Sequence, residues 1–108
     1  MKNYLKLGIM DVEFKTNRLK KCYENHREAV RKYGKVVGLN YIACIDLIYS
    51  VNDVNELYAF PQYYFHPLRE DREGQYALEL TGRMRLIVTL KGDELQIVRI
   101  EEVSKHYE

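Results

Sequence analysis

At 108 residues the chain has the length of one domain with a single modest core, and no internal repeat or linker divides it. Its 46% apolar and 31% charged residues exclude a disordered chain, and its longest apolar run, Tyr41–Ile45, is far short of the about 20 residues a membrane helix needs. The net charge of +1 argues against a nonspecific polyanion binder, but it hides an asymmetry: residues 1–50 carry 10 Lys/Arg against 5 Asp/Glu, and residues 51–108 carry 7 against 11.

Met10, Val12 and Phe14 alternate with charged residues, which predicts a short strand. Thr16 is a natural N-cap. Leu19, Cys22, Tyr23, His26, Val30 and Tyr33 follow at spacings of three and four, predicting one helix that ends near Gly34. On that stripe His26 is expected to be a satisfied core or sheet-facing residue. Val37, Tyr41, Cys44, Ile45 and Ile48 predict a second helix from about Val36 to Tyr49, close enough to the first to form an antiparallel hairpin. Asp53-Val54-Asn55-Glu56 is a capping-box pattern for one more helical turn.

After Phe60-Pro61 the period changes to two. Tyr76, Leu78 and Leu80 form one strand pattern, and Met84, Leu86, Val88 and Leu90 a second. Thr81-Gly82 between them predicts a tight hairpin. Lys91-Gly92-Asp93 makes the next turn, and Leu95 to Val103 the last strand. The fold class is therefore α+β: an N-terminal strand and a helical hairpin packed on one face of an antiparallel sheet of three or more C-terminal strands. The other face is partly polar and is where a site would sit. Cys22 and Cys44 fall at helical core positions and outside any CxxC, so free buried thiols are expected rather than a disulfide or a zinc site. The segment MKNYLKLGIM reads as no export signal, so a cytoplasmic location is expected, with no membrane partner.

Five of the seven cations in the acidic half are arginines: Arg69, Arg72, Arg83, Arg85 and Arg99. The planar guanidinium suits phosphate better than a lysine does. Arg83 and Arg85 are two apart in a predicted strand, so both are expected on one face, with Glu79 or a bound phosphate as counterion. His66 and His106 are the candidates for proton transfer near neutral pH. No hydrolase elbow, zinc-protease helix, phosphate loop or calcium loop occurs, and neither a metal nor another cofactor is called for. Arginine and histidine without a metal suit one reaction well: RNA cleavage by the substrate's own 2′-hydroxyl. That reaction needs a base, cations around the phosphorane and an acid for the leaving oxygen.

The stretch His66-Pro67-Leu68-Arg69-Glu70-Asp71-Arg72-Glu73-Gly74-Gln75-Tyr76, then Arg83-Met84-Arg85-Leu86-Ile87, then Ser104-Lys105-His106, resembles the HigB-type toxins of the RelE/ParE toxin–antitoxin superfamily. The pattern there is approximately HPLKGDRxGxWSI, a strand arginine, and a chain end near DYH. Here Glu70 stands for the glycine, Tyr76 for the tryptophan, and Ser104-Lys105 for the residues before the last histidine. The resemblance spans about residues 10–106 and implies a single toxin domain over 1–108 with a RelE-like microbial ribonuclease fold. It implies an endoribonuclease acting on mRNA, on the ribosome, and silenced by a HigA-like helix-turn-helix antitoxin. Residue by residue, it implies His66 as general base or phosphate contact, Arg85 as the phosphorane-stabilising residue and His106 as general acid. Arg69, Arg72, Arg83 and Lys105 are the expected substrate contacts, with Asp71 and Arg72 pairing with each other or with neighbours to shape the loop. Two other readings share this fold: a ParE-like toxin that binds a DNA topoisomerase, and a non-catalytic interaction module.

Overall fold

The computed structural model describes residues 10–105. The expectation for His106 lies outside them. A five-stranded sheet carries the helices on one face, in the order β1-β5-β4-β3-β2. β1 (Asp11–Phe14) runs parallel to β5 (Ile97–Lys105) at one edge. β3 (Gln75–Glu79) and β4 (Met84–Lys91) are antiparallel in the middle, and β2 (His66–Pro67) forms the other edge. Residues 10–105 thus form an α+β layer pair, as expected, with β2 as a strand that the sequence pattern was too short to reveal. An edge strand of two residues with a proline gives little purchase to a foreign strand.

The first helix is two helices. α1 (Asn17–Glu24) starts on Thr16, whose Oγ1 accepts from the Leu19 amide at 3.1 Å. It stops at Asn25, and α2 (His26–Tyr33) begins there. Asn25 serves both ends: its amide donates to the Lys21 carbonyl at 2.9 Å, and its Oδ1 accepts from the Arg27 and Glu28 amides at 3.0 and 3.2 Å. Asparagine at a cap outcompetes the continuing helix. The break re-phases the buried face, so Ala29 is buried and His26 is exposed at the start of α2. The core role expected for His26 is therefore corrected.

α3 (Lys35–Ser50) returns antiparallel to α2. Gly38 permits their close approach, since a Cβ there would meet the Ala29 carbonyl oxygen at 2.7 Å. Tyr41, fully buried, donates its hydroxyl to the Leu19 carbonyl at 2.7 Å and ties α3 to α1. Cys22 and Cys44 are both free and buried. Asp53 caps the expected extra turn, a 3-10 helix over Val54–Ala59. The core lies between α3 and the sheet, with Ile45, Ile48, Leu57, Leu78, Leu86, Val88, Val98 and Ile100 all under 2% exposed. Asn40 locks α3 to the end of β3 by donating to the Leu80 carbonyl at 2.7 Å. Among the described residues no helix is long and apolar enough to cross a membrane.

Candidate functional site

Strand parity decides which side chains share the face away from the helices. Phe65 is buried in the core beside Tyr76, so His66 takes the opposite, open face. The register carries one row across the sheet: His66 opposite Ala77, Ala77 opposite Ile87, Ile87 opposite Glu102. The next row along is Glu79, Arg85 and Ser104. His66 and Arg85 therefore stand on the same face, two strands and one pleat apart. Strand spacing and rise put their Cα atoms about 12 Å from each other. Extended toward one another, an imidazole and a guanidinium can meet at one phosphate.

His66 is oriented by its neighbour. Its Nδ1 lies 2.7 Å from the Tyr64 carbonyl oxygen, and the Tyr64 ring stacks on the imidazole with centroids 4.2 Å apart. A carbonyl only accepts, so Nδ1 carries the proton and, in the neutral ring, Nε2 is left as the basic nitrogen. Tyr64 sits at φ 45°, ψ 54°, in the left-handed region.

Arg85 is partly buried, and its Nε is fully buried with no hydrogen-bond partner among the described residues. A buried guanidinium donor without a partner is an unmet demand for an acceptor. Glu79 is the register neighbour of Arg85 across the hairpin.

The other expected contacts separate. Arg83 is not in the strand: the hairpin loop runs Leu80–Arg83, closed by the Leu80 and Thr81 amides donating to the Met84 carbonyl at 2.9 and 3.0 Å. Thr81 Oγ1 accepts from the Arg83 and Met84 amides, so the loop is wider than the expected tight turn and Arg83 is exposed on it. Arg83 and Arg85 are thus not a same-face ladder. Arg72 pairs with neighbours other than Asp71. Its Nε donates to Gln75 Oε1 at 2.8 Å and its Nη2 to Glu102 Oε2 at 2.7 Å. A guanidinium touching both β3 and β5 crosses over β4, and Ile87 on that face is 0% exposed. Arg69 is exposed at the head of the short turn Glu70–Arg72, where Glu70 takes φ 61°. The glutamate keeps the left-handed conformation a glycine would adopt freely. Lys105 is exposed at the end of β5, and its register opposite Met84 sets it on the helix-side parity, away from Arg85 and Ser104.

Toward β1 the open face closes on itself. Glu101 accepts from Thr89 Oγ1 at 2.7 Å and lies 3.8 Å from Arg99 and 4.0 Å from Lys15, while Glu13 takes Lys91 at 3.0 Å. Sequence reasoning missed Tyr64, Gln75 and Glu102. Nothing in a tyrosine announces a left-handed residue, and the partners of Arg72 depend on the register of β5. Among the described residues no group of three or more His, Cys, Asp or Glu side chains is placed to hold a metal ion.

No family model matches the sequence, and no curated protein sequence does. Solved structures do. YafQ from E. coli strain BL21(DE3) superposes with a TM-score of 0.55 at 19% identity, over 90% of this chain and 93% of that one. A chain of the E. coli DinJ-YafQ toxin–antitoxin complex gives 0.58 at 20%, over 90% and 92%. The YoeB/ParE toxin from Agrobacterium tumefaciens gives 0.55 at 17%, over 91% and 100%. The fold is that of these toxins. At such identities the likeness is one of architecture, and it agrees with the architecture the HPLREDREG segment implied.

Proposed function

We propose that this chain is the toxin of a type II toxin–antitoxin pair, of the HigB type, and an endoribonuclease that cleaves mRNA on the ribosome. Its partner is a helix-turn-helix antitoxin of the HigA kind. The observation that carries this reading is the open sheet face of a toxin fold bearing both an imidazole with a free basic nitrogen and a guanidinium with an unmet buried donor.

The reaction follows from those groups. His66 Nε2 takes the proton of a ribose 2′-hydroxyl, and the oxygen attacks the adjacent phosphorus. The phosphorane gathers negative charge where Arg85 can donate, so the interaction strengthens in the transition state. The bond to the 5′-oxygen breaks and that oxygen is protonated, a step assigned to His106. The products are a 2′,3′-cyclic phosphate and a 5′-hydroxyl. The nucleophile is the substrate's own, so this route needs no metal-activated water. Arg69 and Arg83, both exposed, are assigned to flanking phosphates, and Lys105 lies at the strand end just before His106. Arg72 joins them only by exchanging Glu102 for a phosphate oxygen.

The test is a reconstituted translation reaction with one defined message. Wild-type protein should leave 5′-hydroxyl ends on the message, and His66→Ala and Arg85→Ala should not. An intact message with a folded sample would sink the nuclease reading. Arrest without cleavage would point to a binding module, and a DNA-damage response on expression would point to a topoisomerase-binding toxin.

A further inference from the structure

Tyr64 has four features that its place in a loop does not require. It adopts a left-handed backbone, at φ 45°, without being glycine, asparagine or aspartate. Its carbonyl accepts from His66 Nδ1 at 2.7 Å. Its ring stacks on the same imidazole at 4.2 Å and 24°. That ring is nonetheless 56% exposed, so burial does not explain why a large aromatic residue is held there.

We propose that Tyr64 is the positioning residue for His66: its strained backbone turns the carbonyl onto Nδ1, and its ring holds the imidazole flat, so that Nε2 is the basic atom presented by the site. The 3-10 turn Pro61–Tyr63 ends at Tyr64, whose amide donates to the Pro61 carbonyl at 3.1 Å. From there the chain must enter β2 with Phe65 in the core and His66 on the open face. The left-handed residue makes that reversal within one position. Strain of this kind persists only where the surroundings impose it, and it gathers at sites where geometry is used. A free histidine side chain prefers its proton on Nε2, so a carbonyl on Nδ1 inverts the tautomer and frees the nitrogen farther from the backbone. The ring adds what the carbonyl cannot, since one hydrogen bond still lets the imidazole swing about its axis.

The kinetic consequence rests on the nuclease reading, but the tautomer does not, and the experiment separates them. Nitrogen NMR of the full ¹⁵N-labelled chain, at a pH where His66 is neutral, should show Nδ1 protonated and Nε2 bare, with His66→Gln assigning the signal. Tyr64→Gly tolerates the left-handed backbone and should keep that tautomer while losing the ring. Tyr64→Val, β-branched and opposed to φ above zero, should shift the proton toward Nε2. In cleavage, Tyr64→Phe should match wild type, and Tyr64→Gly should lose about tenfold in kcat with KM unchanged. A wild-type His66 that is mainly Nε2–H overturns the proposal, as does a folded Tyr64→Val that keeps the Nδ1–H form. Should Tyr64→Val fail to fold, the wild-type and Tyr64→Gly spectra decide alone. The expected tautomer in a protein that cleaves no RNA would end the nuclease reading and leave the positioning role standing.

Discussion

Replacing Arg85 by methionine should raise stability and destroy activity together. Methionine matches the arginine side chain out to the buried Nε, so the swap removes the guanidinium while keeping the stem that packs on the strand. The buried Nε has no hydrogen-bond partner among the described residues, and relieving such a group is worth about 1–3 kcal/mol. Against that stands the cross-strand pair with Glu79, worth about 0.2–1 kcal/mol. The balance is a stabilisation of about 1 kcal/mol, which in a domain of this size lifts Tm by roughly 4–8 °C. In catalysis the same change removes a preorganised donor, so cleavage should fall about 100- to 1,000-fold, or about 2.7–4 kcal/mol of barrier. Urea unfolding followed by circular dichroism gives the first number, and the rate of message cleavage in reconstituted translation gives the second. An Arg85→Met protein that is less stable by more than about 1 kcal/mol would show that the guanidinium is a structural tie. One that keeps full cleavage would show that the unmet donor has no part in the chemistry.

Three further outcomes follow from the fold. Glu70→Gly relieves a left-handed glutamate and should stabilise by up to about 1 kcal/mol, while Glu73→Gly, at an ordinary φ of −56°, should destabilise, so their urea midpoints should move in opposite directions. Gly38→Ala should cost about 1–3 kcal/mol in spite of alanine's helix propensity, because its Cβ meets backbone at 2.7 Å; an unchanged melting temperature would refute the close approach of α2 and α3. Burial pushes the Cys44 thiol up from 9.0 to about 12, and burial, with Cys22 nearby, pushes the Tyr33 phenol up from 10.0 to about 12, Arg18 acting the other way. Both groups are raised in the folded state, so the stability they contribute is whole below pH 9 and is lost as pH rises from 9 to about 12. The urea midpoint should be flat up to pH 9 and fall above it, and Cys44→Ala should flatten the first part of that fall.

The layers were legible in the sequence because burial imposes a period. Val37 to Ile48 repeats every three to four residues and lies in α3; Tyr76 to Leu78 and Met84 to Leu90 repeat every two and lie in β3 and β4. The failures came where a single residue redirects the chain. Asn25 starts α2 through its own side chain and so breaks the stripe into two helices, and its type was the available signal, since the apolar stripe ran past it unbroken. Arg83 was lost to the loop because Thr81 closes it with two side-chain bonds, which parity does not see. His66 and Arg85, singled out by chemistry and motif, are brought to one face by strand pairing. Tyr64 was not found, since its contribution is a carbonyl direction set by a backbone angle.

What distinguishes the arginines on this face is their pairing, and β5 supplies carboxylates to Arg72 and Arg99. Ile100 is buried and Val103 packs against the core, yet they are three residues apart, which a regular strand cannot satisfy. The register slips between Ile87 and Val88, leaving Glu101 as the extra residue of a bulge. Without it, Glu102 would fall opposite Leu86 on the core side, and Val103 would stand opposite Arg85 on the open face. With it, Val103 stays inside and both glutamates reach the open face, where Glu102 takes Arg72 and Glu101 lies beside Arg99 and Lys15. Ser104, not a carboxylate, is then the β5 neighbour of Arg85. One inserted residue thus neutralises the middle and the β1 side of the face and concentrates its unmet hydrogen-bonding demand at the end that also carries His66.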